Sequence, residues 1–122
     1  MLISIDFNSD EAFYVQLRNQ IIMGIATSEI REGESLPSVR ELADSVGINM
    51  HTVNKAYAIL RQEGYLKLDR RRGAVVSVDI DRQRAIDELR ASLRDAVARA
   101  VCRNVSGQDI RAILNEVVEE FR

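Results

Sequence analysis

One proline, one cysteine, one histidine and no tryptophan occur among the 122 residues of this chain, and the scarcity of cysteine and histidine removes classes of function. A lone Cys102 cannot close a disulfide within the chain. With a lone His51 it cannot supply a multi-ligand zinc site of the usual kind either. Cys102 falls in an apolar helical stripe, where a small buried hydrophobe is the expected role. No HExxH, GxSxG or glycine-rich phosphate loop is present, so no catalytic residue, metal ligand or cofactor is expected. Asp and Glu are plentiful, but at helical spacing they read as a solvated face, and the chain reads as a binder and not an enzyme. No apolar run approaches the length of a membrane span, and no basic region followed by an apolar stretch opens the chain. A cytoplasmic protein with no membrane partner is expected. The length admits one ordinary domain, or a small one with an appendage, and leaves no room for a second full ligand-binding domain.

What is present is organised around the stretch from Leu36 to Leu66, LPSVRELADSVGINMHTVNKAYAILRQEGYL. Ser38 followed three residues later by Glu41 is a capping box, in which each side chain satisfies an orphan amide of a first helical turn. Val39, Leu42, Ala43 and Val46 then recur at helical spacing and form one apolar stripe. Gly47 is free to take the positive φ that ends a helix. Asn49 caps a second helix, whose buried stripe is Val53, Ala56, Tyr57 and Leu60 and whose stop is Gly64. Two short helices around a glycine turn make a helix-turn-helix. The side chains left over, Met50, His51, Thr52, Asn54 and Lys55, cluster at the helix end that such a motif presents to the major groove.

After Gly64 the pattern changes to β-rich runs. Tyr65, Leu66 and Leu68 lead into Arg70, Arg71, Arg72 and Gly73, and Val75, Val76 and Val78 follow, which predicts a hairpin with a triple-arginine tip. Next to a recognition helix, such a hairpin reads as the wing of a winged helix. The net charge of −2 does not oppose a nucleic-acid partner, because distribution matters more than the sum. From Asn49 to Val78, Lys55, Arg61, Lys67, Arg70, Arg71 and Arg72 face only Glu63 and Asp69. The acidic excess lies mostly before Asp44, at positions such as Glu29, Glu32 and Glu34.

The flanks read more simply. Ile3, Ile5 and Phe7 alternate with polar residues, which predicts a short strand padding the sheet edge of the wing. A scaffold helix is predicted from about Asp10 to near Ser28, with Phe13, Leu17, Ile21, Met23, Gly24 and Ile25 on its apolar face. Glu29 to Glu34 is a polar loop, and Pro37 fixes the approach to the capping box. The composition shifts after Val78, placing a boundary near Asp79 to Asp81. Beyond it, Ile86, Leu89, Leu93, Val97 and Val101 form one helical stripe. After a break at Asn104 to Gly107, Ser106 caps a last helix carrying Ile110, Ile113, Leu114, Val117, Val118 and Phe121. Two such helices cannot bury both stripes on each other, so a partner surface is implied. A second copy of the chain is preferred over folding back on the first domain, since dimerisation turns a weak half-site contact into a tight palindromic one.

Several separated motifs in this order resemble the DNA-binding domain of GntR-type transcription regulators. They are Tyr14-x-Gln16-Leu17, Leu36-Pro37-Ser38-x-Arg40-x-Leu42-Ala43, Gly47-Ile48-Asn49-x-x-Thr52-Val53, Ala56-Tyr57-x-x-Leu60 and Glu63-Gly64-Tyr65-Leu66. The set Asn49, Thr52, Val53, Lys55, Ala56 and Tyr57, with the short tail, looks most like the YtrA-type subfamily. The resemblance implies a mainly α fold with a small β wing: a winged helix-turn-helix DNA-binding domain over residues 1–79 and a two-helix dimerisation region over 80–122. It also implies a transcriptional regulator, a repressor, that binds a palindromic operator in double-stranded DNA as a homodimer. Arg40 would read a base edge, most simply guanine, and Ser38 would lie near the DNA backbone. Asn49, His51 and Thr52 would contact bases or phosphates, and Lys55 would hold a phosphate one turn later. Arg72 would insert into the minor groove or grip phosphate, with Gly73 allowing close approach. Met50 departs from the family, which commonly has arginine there, or proline in the YtrA type; it is left to touch a thymine methyl or to pack. The rival reading is a winged helix that docks on proteins, with the C-terminal helices as scaffold, although a scaffold has no use for Arg70 to Arg72 beside a glycine. No residue constellation names an effector.

Overall fold

The computed structural model describes residues 3–121. In chain order it contains α1 (Phe13–Ala26), α2 (Val39–Val46), α3 (Met50–Gln62), β1 (Leu66–Asp69), β2 (Gly73–Val76), α4 (Arg82–Cys102) and α5 (Gly107–Glu119). This is the mainly α architecture with a small β wing that the residue pattern predicts. The chain divides into two compact units, one ending at Asp79 and the other beginning at Ile80.

The core of the first unit is built from the expected stripes. Leu17 and Ile21 of α1 meet Leu42 and Ala43 of α2, Val53, Ala56, Tyr57 and Leu60 of α3, and Leu66 and Val76 of the hairpin. Burial of each fully enclosed aliphatic side chain stabilises the fold by about 1.5–3 kcal/mol. Helix ends fall where the chemistry of capping puts them. The Ser38 hydroxyl accepts from the Glu41 amide at 3.1 Å, and the Asn49 carbonyl oxygen Oδ1 accepts from the His51 amide at 2.7 Å. Gly47, at φ 76°, closes α2 in the left-handed region that glycine enters without strain. The second half of the capping box is not made among the described residues; the Glu41 carboxylate instead acts electrostatically on Tyr57.

Two expectations for the N-terminal segment are corrected. The helix begins at Phe13, not Asp10, because local turns take up the preceding amides: Asn8 N–H donates to Asp6 Oδ1 and Glu11 N–H to Ser9 Oγ, both at 3.0 Å. It ends at Ala26, just before Ser28 turns left-handed at φ 64°. Ile3, Ile5 and Phe7 form no strand and do not pad the wing. Ile5 is buried, as alternation requires, but the segment is fastened to α1 by side-chain amides. The Gln16 Oε1 accepts from Asp6 N–H at 2.9 Å while its Nε2 donates to the Asp6 and Glu11 carbonyls, and Gln20 exchanges a matching pair with Ser4. Gln16 is the buried polar side chain of the described core.

The sheet edge is padded instead by the loop after α1. β1 and β2 pair antiparallel from Leu66↔Val76 to Asp69↔Gly73, and Ser35 bridges Val75 on the far side of β2. Leu36 N–H donates to the Ala74 carbonyl at 2.8 Å, and Val76 N–H donates to the Glu34 carbonyl at 2.9 Å. That loop is seated close to α1. A Cβ built on Gly24 would lie 2.6 Å from Ile30 Cδ1, so the glycine makes room for a residue that is itself buried.

In the second unit Asp81 and Ser106 cap α4 and α5, and Asn104 breaks the chain between them at φ 64°. Neither helix holds a buried residue within one chain. Leu89, Leu93, Val97, Val101, Ile113, Leu114, Val117, Val118 and Phe121 are exposed, while Ile86 and Ile110 are half-buried. Cys102 is free and exposed, which corrects its expected burial: it lies at the end of a helix that encloses nothing within a single chain.

One hydrogen bond holds the helix-turn-helix at its entrance. The Tyr57 hydroxyl donates to the Pro37 carbonyl at 2.8 Å from a buried position on α3. Burial pushes its phenol far above the ordinary tyrosine value, and the Glu41 carboxylate adds to the shift. Tyr57→Phe leaves that carbonyl without its donor and should cost about 1–2 kcal/mol in denaturant unfolding. A folded pKa above the unfolded one contributes stability that is whole below about pH 10 and lost as pH rises further. The phenylalanine variant should therefore show less alkaline destabilisation than the parent.

Candidate nucleic-acid interface

The start of α2, the exposed face of α3 and the wing tip converge on one groove of about 520 Å³. Ser38, Val39 and the carboxylate-bearing Glu41 line one wall, Asn54, Tyr57, Ala58 and Arg61 another, and Lys67, Leu68, Arg71, Arg72 and Gly73 the third. A second hollow of about 560 Å³ lies at the N-terminal end of α3 among Val39, Asn49, Met50, His51 and Asn54. Val39 and Asn54 border both, so the two form a continuous surface. Arg40, Thr52, Lys55 and Arg70 lie outside both linings; Thr52 is half-buried and the other three are exposed. Arg61 and Lys67 belong to the basic stretch, but the sequence pattern does not mark them as contacts. Their place shows only when α3 and β1 are set across from each other.

The hairpin that carries the arginines is held by its own backbone chemistry. Asp69 Oδ1 accepts from the Arg71 amide at 2.8 Å and the Arg72 amide at 3.0 Å, and Gly73 closes the turn at φ 74°. Those two amides, with the Arg72 charge, hold the Asp69 carboxyl below its ordinary value against a smaller opposing effect of desolvation. No atom lies within 4 Å of a Cβ built on Gly73, so its glycine is required by the turn and not by crowding within the chain.

The cations differ in how they are held. Arg72 donates from one guanidinium nitrogen to the Gly33 carbonyl, which ties the wing tip to the padding loop. The Lys55 ammonium lies 3.9 Å from the centroid of the Tyr14 ring. Among the described residues Arg40, Arg61, Lys67, Arg70 and Arg71 have no side-chain partner, so their charge faces solvent. Met50 is 43% exposed at the first position of α3, placing an uncharged thioether at that helix end. No cluster of three His, Cys, Asp or Glu side chains among the described residues is arranged to hold a metal ion.

Comparison with known proteins agrees with this geometry. The model of the family described as bacterial regulatory proteins, gntR family, matches residues 13–76, from α1 to the end of β2. The HTH-type transcriptional repressor YtrA of Bacillus subtilis (strain 168) is 38% identical over 76 residues, which span 62% of this chain and 58% of that protein's length. Among solved structures, YtrA from Sulfolobus acidocaldarius, a GntR-family transcription factor, is 40% identical with a TM-score of 0.60 over 97% of each chain. The DNA-binding domain of AraR in complex with operator ORX1 is 25% identical with a TM-score of 0.54, over 62% of this chain and 96% of that one.

The wing tip carries a pH test of its own. A carboxylate whose folded pKa is lowered stabilises the fold above the unfolded pKa and ceases to do so as pH falls through the folded value. Asp69 should therefore titrate below the usual aspartate value of about 3.9 in NMR of the native protein. The Arg71 and Arg72 amides should lose exchange protection only as that carboxyl protonates. An Asp69 titrating at or above the ordinary value would show that the two amide bonds are not maintained in solution.

Proposed function

The chain belongs to the gntR family of bacterial regulatory proteins, and on that premise we propose that it is a transcriptional repressor binding a palindromic operator as a homodimer. The observation that carries the reading is the groove in which the helix-turn-helix and the wing meet, edged by Arg61, Lys67 and Arg71 with no carboxylate paired to them. A buried or paired cation would point to a structural role; cations left free on facing walls of one groove suit a phosphate backbone. In this reading the N-terminal end of α3 enters the major groove, with Asn49, His51, Thr52 and Asn54 toward base edges or phosphates. Arg40, exposed beside Ser38 on the first turn of α2, reads a guanine through its two-pronged guanidinium.

Arg61, Lys67, Arg70 and Arg71 act on phosphates. Arg72 has a double part: one nitrogen anchors the wing to Gly33, and the remaining donors of its fork stay available to the minor groove or its phosphates. Gly73 keeps the tip narrow. A protein-docking winged helix remains the rival, and the dependence of affinity on salt and on DNA sequence separates the two.

Dimerisation rests on the second unit. α4 and α5 bury no residue in one chain, while their surface pairs, Arg84–Glu88, Arg90–Asp87 and Arg99–Asp95, are exposed and contribute little each. Helices of this kind draw their stability from covering an apolar face. Leu89, Leu93, Val97 and Val101 on α4, with Ile113, Leu114, Val117, Val118 and Phe121 on or after α5, are such a face. A second copy of the chain presents an identical one, and twofold symmetry in the protein then matches twofold symmetry in the operator.

Two experiments test these assignments. Arg40→Ala should lose about 1–3 kcal/mol per half-site and relax the preference at one symmetric base position while keeping most of the salt slope. Lys67→Ala with Arg71→Ala should weaken operator and scrambled DNA alike and flatten log K against log salt by about 2 per subunit. If Arg40→Ala weakens both DNAs equally and the double variant weakens the operator alone, the division of roles is reversed. In the second experiment Leu93→Asp sets a charge in the α4 stripe and should yield monomers at micromolar concentration by light scattering. A dimer that persists would remove α4 from the interface.

A further inference from the structure

Lys55 is exposed on α3, nearly two turns after the cap, and its ammonium rests on the face of an aromatic ring contributed by another helix. That ring belongs to Tyr14, half-buried on the first turn of α1 and packed against the edge of the core. α1 is packed directly on α3, so the ring is carried by a rigid neighbour and not by a loop. No carboxylate pairs with Lys55 among the described residues. The kind of partner matters. An ion pair with a carboxylate would hold the side chain but cancel its charge toward a third body, whereas an aromatic quadrupole holds the ammonium and leaves its full charge outward. A lysine otherwise has much rotamer freedom to lose on binding, and a contact that restricts it beforehand lowers that cost.

We propose that Tyr14 is a positioning residue for operator binding: it holds the Lys55 ammonium ready for a DNA phosphate beside the N-terminal half of α3. This rests on the reading of the protein as a DNA-binding regulator and assigns a part in it to α1, which lies outside the helix-turn-helix and the wing. Tyr14 acts through Lys55, so its substitution should matter only while Lys55 is present. Phenylalanine retains the ring and should replace it.

The test uses the full chain and an operator selected from genomic fragments, with thermal melting of each variant first. Tyr14→Leu, which keeps apolar bulk toward the core, should weaken operator binding about three- to ten-fold, and Tyr14→Phe should stay within about two-fold of the parent. Lys55→Met should weaken binding and flatten the salt slope by about 0.9 per subunit. The double variant Tyr14→Leu, Lys55→Met should bind as Lys55→Met alone does. Independent of any DNA, the Lys55 ε-methylene protons of the free protein should be shifted upfield by the ring current of Tyr14, which gives a readout even if Tyr14→Leu folds poorly. Additive losses in the double variant would overturn the proposal, as would a Tyr14→Phe defect equal to that of Tyr14→Leu, or the absence of the ring-current shift. A parent protein that retains no DNA at all overturns the functional reading and the proposal together; a parent that binds while the two substitutions add overturns the proposal alone.

Discussion

A helix offered to a groove must be held firmly on one side and left bare on the other, and the buried phenol of Tyr57 is where this chain meets that demand. Val53, Ala56 and Leu60 press α3 against α1 without specifying how far it slides or turns. The hydrogen bond from Tyr57 to the Pro37 carbonyl supplies the missing coordinate. It joins α3 to the residue before the cap of α2, where proline's ring restricts the approach of the chain by fixing φ. The cap at Ser38 follows directly in the chain, and Asn54 lines the same groove as Ser38 and Tyr57.

The electrostatics of the same surface depend on a division between backbone and side chain. At the wing tip the carboxylate of Asp69 is engaged by amides, so the backbone of Arg71 and Arg72 is ordered while the Arg70 and Arg71 guanidinium groups stay unpaired. A carboxylate in contact with those side chains would have ordered them at the expense of their field. This arrangement lets an acidic protein of net charge −2 present a basic wall.

Most of the first unit was legible in the sequence because its signals are local. Ser38, Gly47 and Asn49 act within one or two turns of the chain, and the α3 stripe is a matter of spacing alone. Apart from the late start of α1, which local turns impose, the misreadings concern partners that spacing does not encode. Alternation at Ile3 and Ile5 was a true sign of one-sided burial, but nothing in an alternating pattern says whether the facing hydrogen-bond groups belong to a strand or to glutamines on a helix. The loop that does pad the sheet, around Glu34 and Ser35, has no apolar alternation; its place comes from Ile30 seated against Gly24. Cys102 lies in an apolar stripe, and a stripe records that a face is apolar without recording what covers it. Arg61 and Lys67 were invisible as a pair because one is on a helix and the other on a strand.

The glutamine fastening of the N-terminal segment has a metric consequence. Gln16 and Gln20 are four positions apart on a helix, about 6 Å along its axis, whereas Ser4 and Asp6 are two positions apart in extended chain, about 6.6 Å. The two rulers nearly coincide over one interval and drift apart over several, like the scales of a vernier. A helix can therefore button a non-helical segment to itself at two consecutive marks but not along its whole length. The same row continues at the capping residue Ala12 and at Gly24, where no side-chain amide is offered.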